Sequence, residues 1–352
     1  MAKILILGAG VMGTAFSVPL CDAGQDVHLV GTHLDREWIE GIRATGVHPK
    51  LKSTVPEGVA PYTHDQLGDA LTEDTDLIVL GVSSPGVDWA IRQLGPVLRR
   101  PIPIVMLTKG LAVRNDTLEI LPHVVRDGLA EYGIEGIPVG AVGGPCIAGE
   151  LAAKRDSSVV IACADAAVLN RIMPLVDAPY YHARPSADII GVEVCAAMKN
   201  FYALAVGSVN GLLEKQGKAS NGALMHNLAA GLFTQAIAEI GCLVEYLGGT
   251  AASVHGLPGT GDLYVTCQAG RNSRMGRLLG LGLRYREAKA THMADETVEG
   301  ADLALTIGST LELLLECRHL EPSALPLAAA IIQAICHNHP LQIPWEHFYP
   351  TG

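Results

Sequence analysis

Residues Ile4-Leu-Ile-Leu-Gly-Ala-Gly-Val-Met-Gly13 begin as a short apolar run and pass directly into glycines spaced as G-x-G-x-x-G. Apolar residues at helical spacing follow, and a second apolar run occupies Val27–Val30. Strand, turn, helix and strand thus succeed one another within about 30 residues, which makes this glycine pattern a dinucleotide-binding fingerprint. In such a motif Gly8 permits the tight turn, Gly10 lets the backbone approach a pyrophosphate, and Gly13 lets helix and strand pack closely.

The residues after the second strand leave the choice of dinucleotide open. Gly31 stands at the first position after the strand, where an acidic residue would usually bind the ribose of NAD. Asp35 could accept the ribose hydroxyls instead, whereas Thr32, His33 and Arg36 could receive the 2′-phosphate of NADP. The sequence is therefore compatible with either NAD or NADP as the cofactor.

Further apolar runs recur between helix-like segments, as in a parallel sheet: Asp76–Val82, Ile104–Leu107, Ile137–Val142 and Ser158–Ala162. Such continuous runs indicate strands that are covered on both faces, and right-handed crossovers then predict a doubly wound, Rossmann-type parallel sheet. Ligands bind beyond the carboxyl ends of these strands. Lys109 follows one such end, so it is either an anion contact or an ordinary solvated loop lysine.

Composition limits the class of protein. A chain of 352 residues suits two domains, and its net charge of −11 argues against a nucleic-acid-binding protein, because a phosphate backbone requires a basic surface. The eight cysteines show no C-x-x-C spacing, which predicts neither a metal site nor a disulfide framework. We expect no signal peptide, no membrane insertion and a cytoplasmic location, because no apolar run reaches spanning length.

The strand pattern ceases near residue 187, which predicts a dinucleotide-binding domain over residues 1–187 and an all-helical substrate domain over 188–352. The segment Gly191–Gly207 is apolar on every side of a helix, so it should be buried, yet Lys199 and Asn200 lie at its centre. Burial can bring a lysine pKa toward the range of proton transfer, although a lysine near a helix end would merely extend to the surface.

The later segment His255–Asn272 is rich in glycine, and it also carries a carboxylate, a hydroxyl and a guanidinium. These groups are Asp262, Thr266 and Arg271. A structural loop would explain the glycines alone, whereas this combination of polar groups predicts a small-molecule site.

Taken together, these residues resemble the NAD(P)-dependent glycerol-3-phosphate dehydrogenase family. The shared motifs extend over nearly the whole chain and are Gly8–Gly13, Thr108–Gly110, Gly144–Ala148, Asp188–Glu193, Lys199–Asn200, Gly261–Leu263 with Thr266, Arg271–Asn272 and Glu299–Gly300. The resemblance implies a helical second domain like that of 6-phosphogluconate dehydrogenase.

The resemblance also implies roles for individual residues. Lys199 would be the acid/base, with Asp262 and Thr266 as further catalytic residues. The substrate would be held by Lys109, Asn200, Arg271 and Asn272. The cofactor, NAD or NADP, would contact Gly8, Gly10, Val11, Met12, Gly13, His33, Lys109, Ala148, Arg271 and Glu299, and no metal is implied.

The activity implied by the resemblance is reversible hydride transfer between NAD(P)H and dihydroxyacetone phosphate, giving sn-glycerol 3-phosphate for glycerophospholipid synthesis by a homodimer. One alternative keeps the fold and the hydride but uses another polyol phosphate or a 3-hydroxy acid. Another is a dinucleotide-binding regulator without turnover, which the glycine fingerprint alone would allow.

Overall fold

The chain divides into two compact units in the computed structural model, which describes residues 1–348. The first unit comprises Met1–Lys109 and Ile120–Val192, and the second comprises Gly110–Glu119 and the described residues from Glu193 on. The functional division between residues 1–187 and 188–352 stays a prediction, and residues 349–352 lie outside the described range.

Twelve strands occur among the described residues, and most belong to one sheet. In chain order they are β1 (Lys3–Leu7), β2 (Asp26–Val30), β3 (Val47–His48), β4 (Ser53–Thr54), β5 (Val59–Tyr62), β6 (Thr75–Leu80), β7 (Ile104–Met106), β8 (Leu111–Arg114), β9 (Thr117–Ile120), β10 (Val139–Gly143), β11 (Ser157–Ala162) and β12 (Tyr181–Ser186). The main sheet has the order β12-β11-β10-β7-β6-β1-β2-β5, while β3–β4 and β8–β9 are separate two-stranded pairs.

The main sheet is parallel at every neighbouring pair except β10–β11, which is antiparallel. The prediction of a Rossmann-type parallel sheet is therefore confirmed with this one exception. The chain runs outward from β1 through β2 to β5 and then returns to β6 on the other side of β1. The carboxyl ends of β1 and β6 consequently form the switch point at which such sheets bind ligands.

Fifteen α-helices occur among the described residues. They are α1 (Val11–Asp22), α2 (Arg36–Thr45), α3 (Leu67–Ala70), α4 (Val87–Leu94), α5 (Leu121–Ala130), α6 (Ala148–Ala152), α7 (Ala166–Ile172), α8 (Ile189–Gln216), α9 (His226–Tyr246), α10 (Ala251–His255), α11 (Asp262–Gln268), α12 (Arg271–Gly280), α13 (Tyr285–His292), α14 (Glu299–Glu316) and α15 (Pro326–Ile335). A π-helical turn, Leu257–Gly261, connects α10 to α11.

The long helix α8 forms the core of the second unit. Its most apolar 18-residue window is 94% buried, which confirms the buried helix predicted around Lys199. By length and composition α8 and α9 both qualify as membrane spans, but a helix enclosed by protein on all sides, as α8 is, is a core helix. For α9 the corresponding buried share is 33%.

Helix α8 packs backbone against backbone with α12 and α14, and glycines make this approach possible. A Cβ atom added to Gly276 on α12 would lie 2.2 Å from Leu204 O on α8, and one on Gly300 of α14 would lie 2.1 Å from Asn200 O. Side chains are excluded at both positions, since backbone atoms already fill the space. The first residues of α12 and α14 are thereby fixed beside Asn200 at the middle of α8.

One short hairpin joins the helices of the second unit. Strands β8 and β9 pair with each other, and β8 packs against α14. The side chains of Arg114 and Glu119 form an ion pair across this hairpin, with 3.5 Å between Nε and Oε2. The second unit is therefore helical apart from a segment supplied by residues that precede α5 in the chain.

Candidate active site

The glycine motif forms the turn between β1 and α1 at the switch point. Gly8 has φ +115°, and a Cβ there would lie 2.6 Å from the carbonyl carbon of Gly81, the residue after β6. A Cβ on Gly13 would lie 2.1 Å from Gly8 O. Both glycines are required by the protein's own packing, one for the turn and one for the contact between strand and helix.

Gly10 differs from these two glycines, and the difference tests whether the turn fits a dinucleotide. The nearest heavy atom to a Cβ added there is Gly81 O at 3.9 Å, an ordinary contact distance. Packing within the protein therefore does not explain a glycine at this position. A bare backbone at the amino end of a helix is what close approach by a pyrophosphate requires, so the turn fits the cofactor.

The other residues predicted to contact the cofactor from the first unit lie at or near this edge. Val11 and Met12 form the first turn of α1 and are half-buried. Lys109 follows β7, where its carbonyl oxygen accepts a hydrogen bond from Ser84 Oγ at 2.7 Å. Ala148 is the first residue of α6 and is partly buried against the core of the sheet.

In the loop between β2 and α2, Asp35 contacts the backbone rather than open solvent. The residue is only 6% exposed. Its Oδ2 accepts hydrogen bonds from Thr32 N at 2.8 Å and from Ala9 N at 3.3 Å. His33 is exposed, and its ring lies tilted beside that of Trp89, with 5.4 Å between the ring centroids. The carboxylate of Asp35 therefore holds the loop itself.

In the second unit the central feature is a buried ion pair between Lys199 and Asp262. Lys199 is 8% exposed in the middle of α8, and Asp262 is 1% exposed at the first position of α11, directly after the π-helical turn. Lys199 Nζ donates a hydrogen bond to Asp262 Oδ1. A buried ammonium needs such a counter-ion, and the carboxylate fixes the direction of the amine as well as its charge.

A chain of hydrogen bonds extends from the next residue, Asn200. Its Nδ2 donates to Glu299 Oε2 at 3.0 Å, and its Oδ1 accepts from Asn272 Nδ2 at 2.9 Å. Asn272 Oδ1 in turn accepts from Gly300 N at 2.9 Å, so both ends of the Asn272 amide have partners within the protein. The half-exposed Arg271 donates from Nη2 to Glu299 Oε1 at 3.2 Å.

Thr266 lies one turn along α11 from Asp262. Its Oγ1 donates to Asp262 O at 2.7 Å, so the hydroxyl contacts the backbone of the same helix. Its neighbour Cys267 had no place in the sequence interpretation. Burial raises the pKa of the Cys267 thiol to about 12, while the nearby charge of Lys199 opposes this rise. The thiol is therefore protonated at neutral pH, and it adds a weakly polar group to the surroundings of Lys199.

A second buried carboxylate, that of Glu239, contacts α8 through Tyr202. Glu239 on α9 accepts hydrogen bonds from Tyr202 Oη at 3.0 Å, Leu327 N at 2.7 Å and Ala328 N at 2.8 Å. Burial raises the pKa of Glu239 to about 7, although each of these donors lowers it. No local pattern indicates this contact, because Glu239 lies on α9 and these partners lie on two other helices, α8 and α15.

The structure thus groups Lys199, Asn200, Asp262, Arg271 and Glu299 in the second unit, with Thr266 and Asn272 beside them. This group offers a buried proton donor that is held by a carboxylate. It also offers a half-exposed guanidinium, which can bind an anion. Among residues 1–348, no set of three or more His, Cys, Asp and Glu side chains is arranged to bind a metal ion.

Two family models match the chain. The model for the N-terminal part of NAD-dependent glycerol-3-phosphate dehydrogenase matches residues 3–169, and the model for its C-terminal part matches residues 188–344. The NADP(+)-dependent glycerol-3-phosphate dehydrogenase of Archaeoglobus fulgidus is 34% identical over 288 residues, which cover 81% of this chain and 82% of the relative.

Two further relatives extend this similarity. A glycerol-3-phosphate dehydrogenase (NAD(P)+) of Corynebacterium aurimucosum is 31% identical over 294 residues, 82% of each chain. The crystal structure of the glycerol-3-phosphate dehydrogenase from Coxiella burnetii matches with a TM-score of 0.80 at 27% identity, covering 99% of this chain and 97% of that one. The resemblance seen in the sequence is confirmed, and the chain belongs to the NAD-dependent glycerol-3-phosphate dehydrogenase family.

Proposed function

We propose that the protein catalyses reversible hydride transfer between NAD(P)H and dihydroxyacetone phosphate, giving sn-glycerol 3-phosphate for glycerophospholipid synthesis. The observation that carries this proposal is the buried Lys199–Asp262 pair beside the Asn200–Glu299–Arg271 chain of hydrogen bonds. Family membership supports it, because the relatives from Archaeoglobus fulgidus and Corynebacterium aurimucosum are glycerol-3-phosphate dehydrogenases that use NADP or NAD(P). The nicotinamide supplies the hydride chemistry when it is bound.

Lys199 supplies the proton in the direction of reduction. As hydride reaches the central carbonyl carbon, the carbonyl oxygen becomes an alkoxide, and the Lys199 ammonium donates a proton to it. In the reverse direction the neutral amine accepts that proton from the alcohol. Transfer from a positioned side chain is worth roughly two to four powers of ten in rate. Asp262 keeps the ammonium in place, and Thr266 secures the helix on which Asp262 lies.

Arg271 is the proposed ligand of the substrate phosphate. Its guanidinium donates one hydrogen bond to Glu299 and is half-exposed, which leaves other N–H groups for an anion. Asn200 and Lys109 are the further substrate contacts. For Asn272 the geometry supports a positioning role, since its amide links Asn200 to the backbone of α14.

The cofactor contacts are proposed in the same way. Gly8, Gly10 and Gly13, with Val11 and Met12, would receive the pyrophosphate at the start of α1. The remaining proposed contacts are His33, Lys109, Ala148, Arg271 and Glu299. In this scheme residues 1–187 bind the dinucleotide and residues 188–352 hold the substrate and the proton donor.

The test compares Arg271→Lys with the wild type on dihydroxyacetone phosphate and on dihydroxyacetone. Lysine keeps the charge and loses the planar fork of donors, so kcat/KM for the phosphorylated substrate should fall roughly ten- to a hundredfold. The unphosphorylated compound should be a poor substrate of both proteins and should respond little. Wild-type protein that fails to oxidise NADH or NADPH with dihydroxyacetone phosphate would contradict the proposed reaction.

Arg274→Lys provides the matched control. Arg274 lies on the same helix as Arg271 and is also half-exposed, but its guanidinium binds Glu296 Oε1 at 2.6 Å and His292 O at 2.9 Å. This change should leave the kinetics of both substrates unaltered. If Arg271→Lys weakened both substrates equally, the phosphate ligand would lie elsewhere, and Lys109 would be tested next.

We also propose that the protein acts as a homodimer in the cytoplasm. Helix α9 supports an association, because only 33% of its most apolar window is buried within the chain. Uncovered apolar surface of this kind marks sites of association. Sedimentation velocity provides the test, and a single species at the chain mass of 37.0 kDa would contradict the dimer.

A further inference from the structure

The peptide groups on either side of Ala9 are held from two directions. Ala9 lies between Gly8 and Gly10 in the turn of the glycine motif. Its carbonyl oxygen lies 2.8 Å from His48 Nε2 and also accepts a longer hydrogen bond, 3.3 Å, from Thr14 Oγ1 at the start of α1. Its N–H donates to Asp35 Oδ2 at 3.3 Å. Neither His48 nor Asp35 belongs to the motif, so two residues from later segments of the chain fix the turn.

The hydrogen bonds of His48 determine which ring nitrogen carries the proton. Its Nδ1 faces two backbone donors, Lys50 N at 3.2 Å and Leu51 N at 2.9 Å. Since both partners donate, Nδ1 must accept, and a neutral imidazole then carries its hydrogen on Nε2. His48 Nε2 therefore donates to Ala9 O. The ring is 0% exposed and lies 5.3 Å from the Trp38 ring, so its orientation is fixed.

We propose that His48 is a positioning residue of the dinucleotide site, which holds the turn Gly8-Ala9-Gly10 in the form that receives a pyrophosphate. This inference rests on the proposed cofactor site and adds a residue that never touches the ligand. Packing against Gly81 restricts Gly8, but Gly10 has no such close contact, and glycine has more backbone freedom than any other residue. Binding through backbone N–H groups is strong only if these groups are already in place.

Two conservative substitutions separate this role from a merely structural one. The side-chain amide of glutamine can reach where His48 Nε2 lies, so His48→Gln can still donate to Ala9 O. Asparagine is shorter and places its oxygen near the position of Nδ1, so His48→Asn can keep the bonds from Lys50 N and Leu51 N but loses Ala9 O. The proposal therefore predicts weak cofactor binding by the asparagine variant and near-normal binding by the glutamine variant.

His28 provides a matched control in the same unit. It is also a buried histidine, 9% exposed on β2, and its Nδ1 lies 2.7 Å from a backbone carbonyl, Ala70 O. That carbonyl belongs to α3 rather than to the glycine turn. His28→Asn should therefore lower the melting temperature without altering the affinity for a dinucleotide.

The experiment is isothermal titration calorimetry of the full-length protein with ADP-ribose, a pyrophosphate ligand that undergoes no hydride transfer, and with NADPH. Thermal unfolding is measured on every variant. We expect the dissociation constants of His48→Asn to rise tenfold or more, and those of His48→Gln and His28→Asn to stay within about threefold of the wild type.

Equal affinity of all the variants and the wild type would overturn the proposal. The proposal would also be overturned if His48→Asn, His48→Gln and His28→Asn lost affinity for the dinucleotide in proportion to their fall in melting temperature. The role of His48 would then be structural. If His48→Asn does not fold, His48→Gln with substantially weakened binding also overturns it. If the variants show the expected affinities but the wild type does not reduce dihydroxyacetone phosphate, the positioning role of His48 stands and the proposed reaction is refuted.

If the wild type reduces dihydroxyacetone phosphate but does not bind ADP-ribose, the proposed reaction stands and the positioning role of His48 is refuted.

Discussion

Replacing Gly276 by alanine should impair catalysis through the position of helix α12. The added Cβ would lie 2.2 Å from Leu204 O and 3.0 Å from Leu204 C, and both are backbone atoms of α8. Non-bonded heavy atoms prefer separations of about 3.5 Å, so α12 has to withdraw by roughly 1 Å. Overpacking of this kind costs about 1–3 kcal/mol of stability. Because Arg271 and Asn272 begin α12, the shift also moves the proposed phosphate ligand.

A displacement of about 1 Å can cost roughly a hundredfold in rate, so kcat/KM for dihydroxyacetone phosphate should fall by one to two powers of ten while the protein remains folded. Steady-state kinetics and thermal unfolding measure the two effects. Gly68→Ala is the control, because an added Cβ on α3 meets no heavy atom of the described residues within 4 Å. That variant should keep full activity and gain about 0.5–1 kcal/mol. Wild-type kcat/KM in Gly276→Ala would refute the link between helix packing and the site.

Three further predictions concern carboxylates. Asp262→Asn removes the counter-ion of buried Lys199, which disfavours its charged ammonium form. The pH at which the rate of reduction begins to fall should therefore be lower in this variant than in the wild type. An unchanged pH–rate profile would count against the role of the pair. Asp35→Asn should weaken NADH and NADPH by the same factor, because the carboxylate holds backbone; a selective loss of NADH would instead show that it binds ribose. Glu239 has a folded-state pKa of about 7 against 4.5, so the folded protein binds the extra proton between these values and stability falls as pH rises through them. Denaturant unfolding at pH 5 and pH 8 should show this fall reduced in Glu239→Gln by up to about 3 kcal/mol, and equal falls in both proteins would contradict it.

Runs of apolar residues were sufficient to predict those helices and strands that are buried. The apolar run around Lys199 predicted a buried helix, and continuous apolar runs located six of the eight strands of the main sheet. The edge strands β5 and β12 were missed because each contains a proline, which edge positions tolerate and central strands do not, and β12 also carries polar residues. The reversed direction of β11 was also missed, since an apolar run does not record strand direction.

Contacts across long sequence separations could not be read from the residues alone. Asn200 on α8 and Asn272 on α12 form a hydrogen bond, and glycine contacts let these two helices approach closely. No local pattern in the sequence indicates that pairing. The resemblance placed both residues at the substrate, whereas the geometry shows how each supports the other. His48, at the end of the short strand β3, was not singled out from the sequence, because its partner is a carbonyl 39 residues earlier in the chain.

The hairpin β8–β9 has a consequence for how the protein is made. Residues 110–119 pack with helix α14, yet they emerge from the ribosome before α5, β10, β11 and β12 of the other unit exist. The helical unit therefore cannot be completed from a contiguous stretch of chain, and a fragment beginning at residue 188 lacks the strand that covers α14. Expression of residues 188–352 alone should yield an incomplete core, and the helical unit should acquire its final stability only when the hairpin and the later helices are both available.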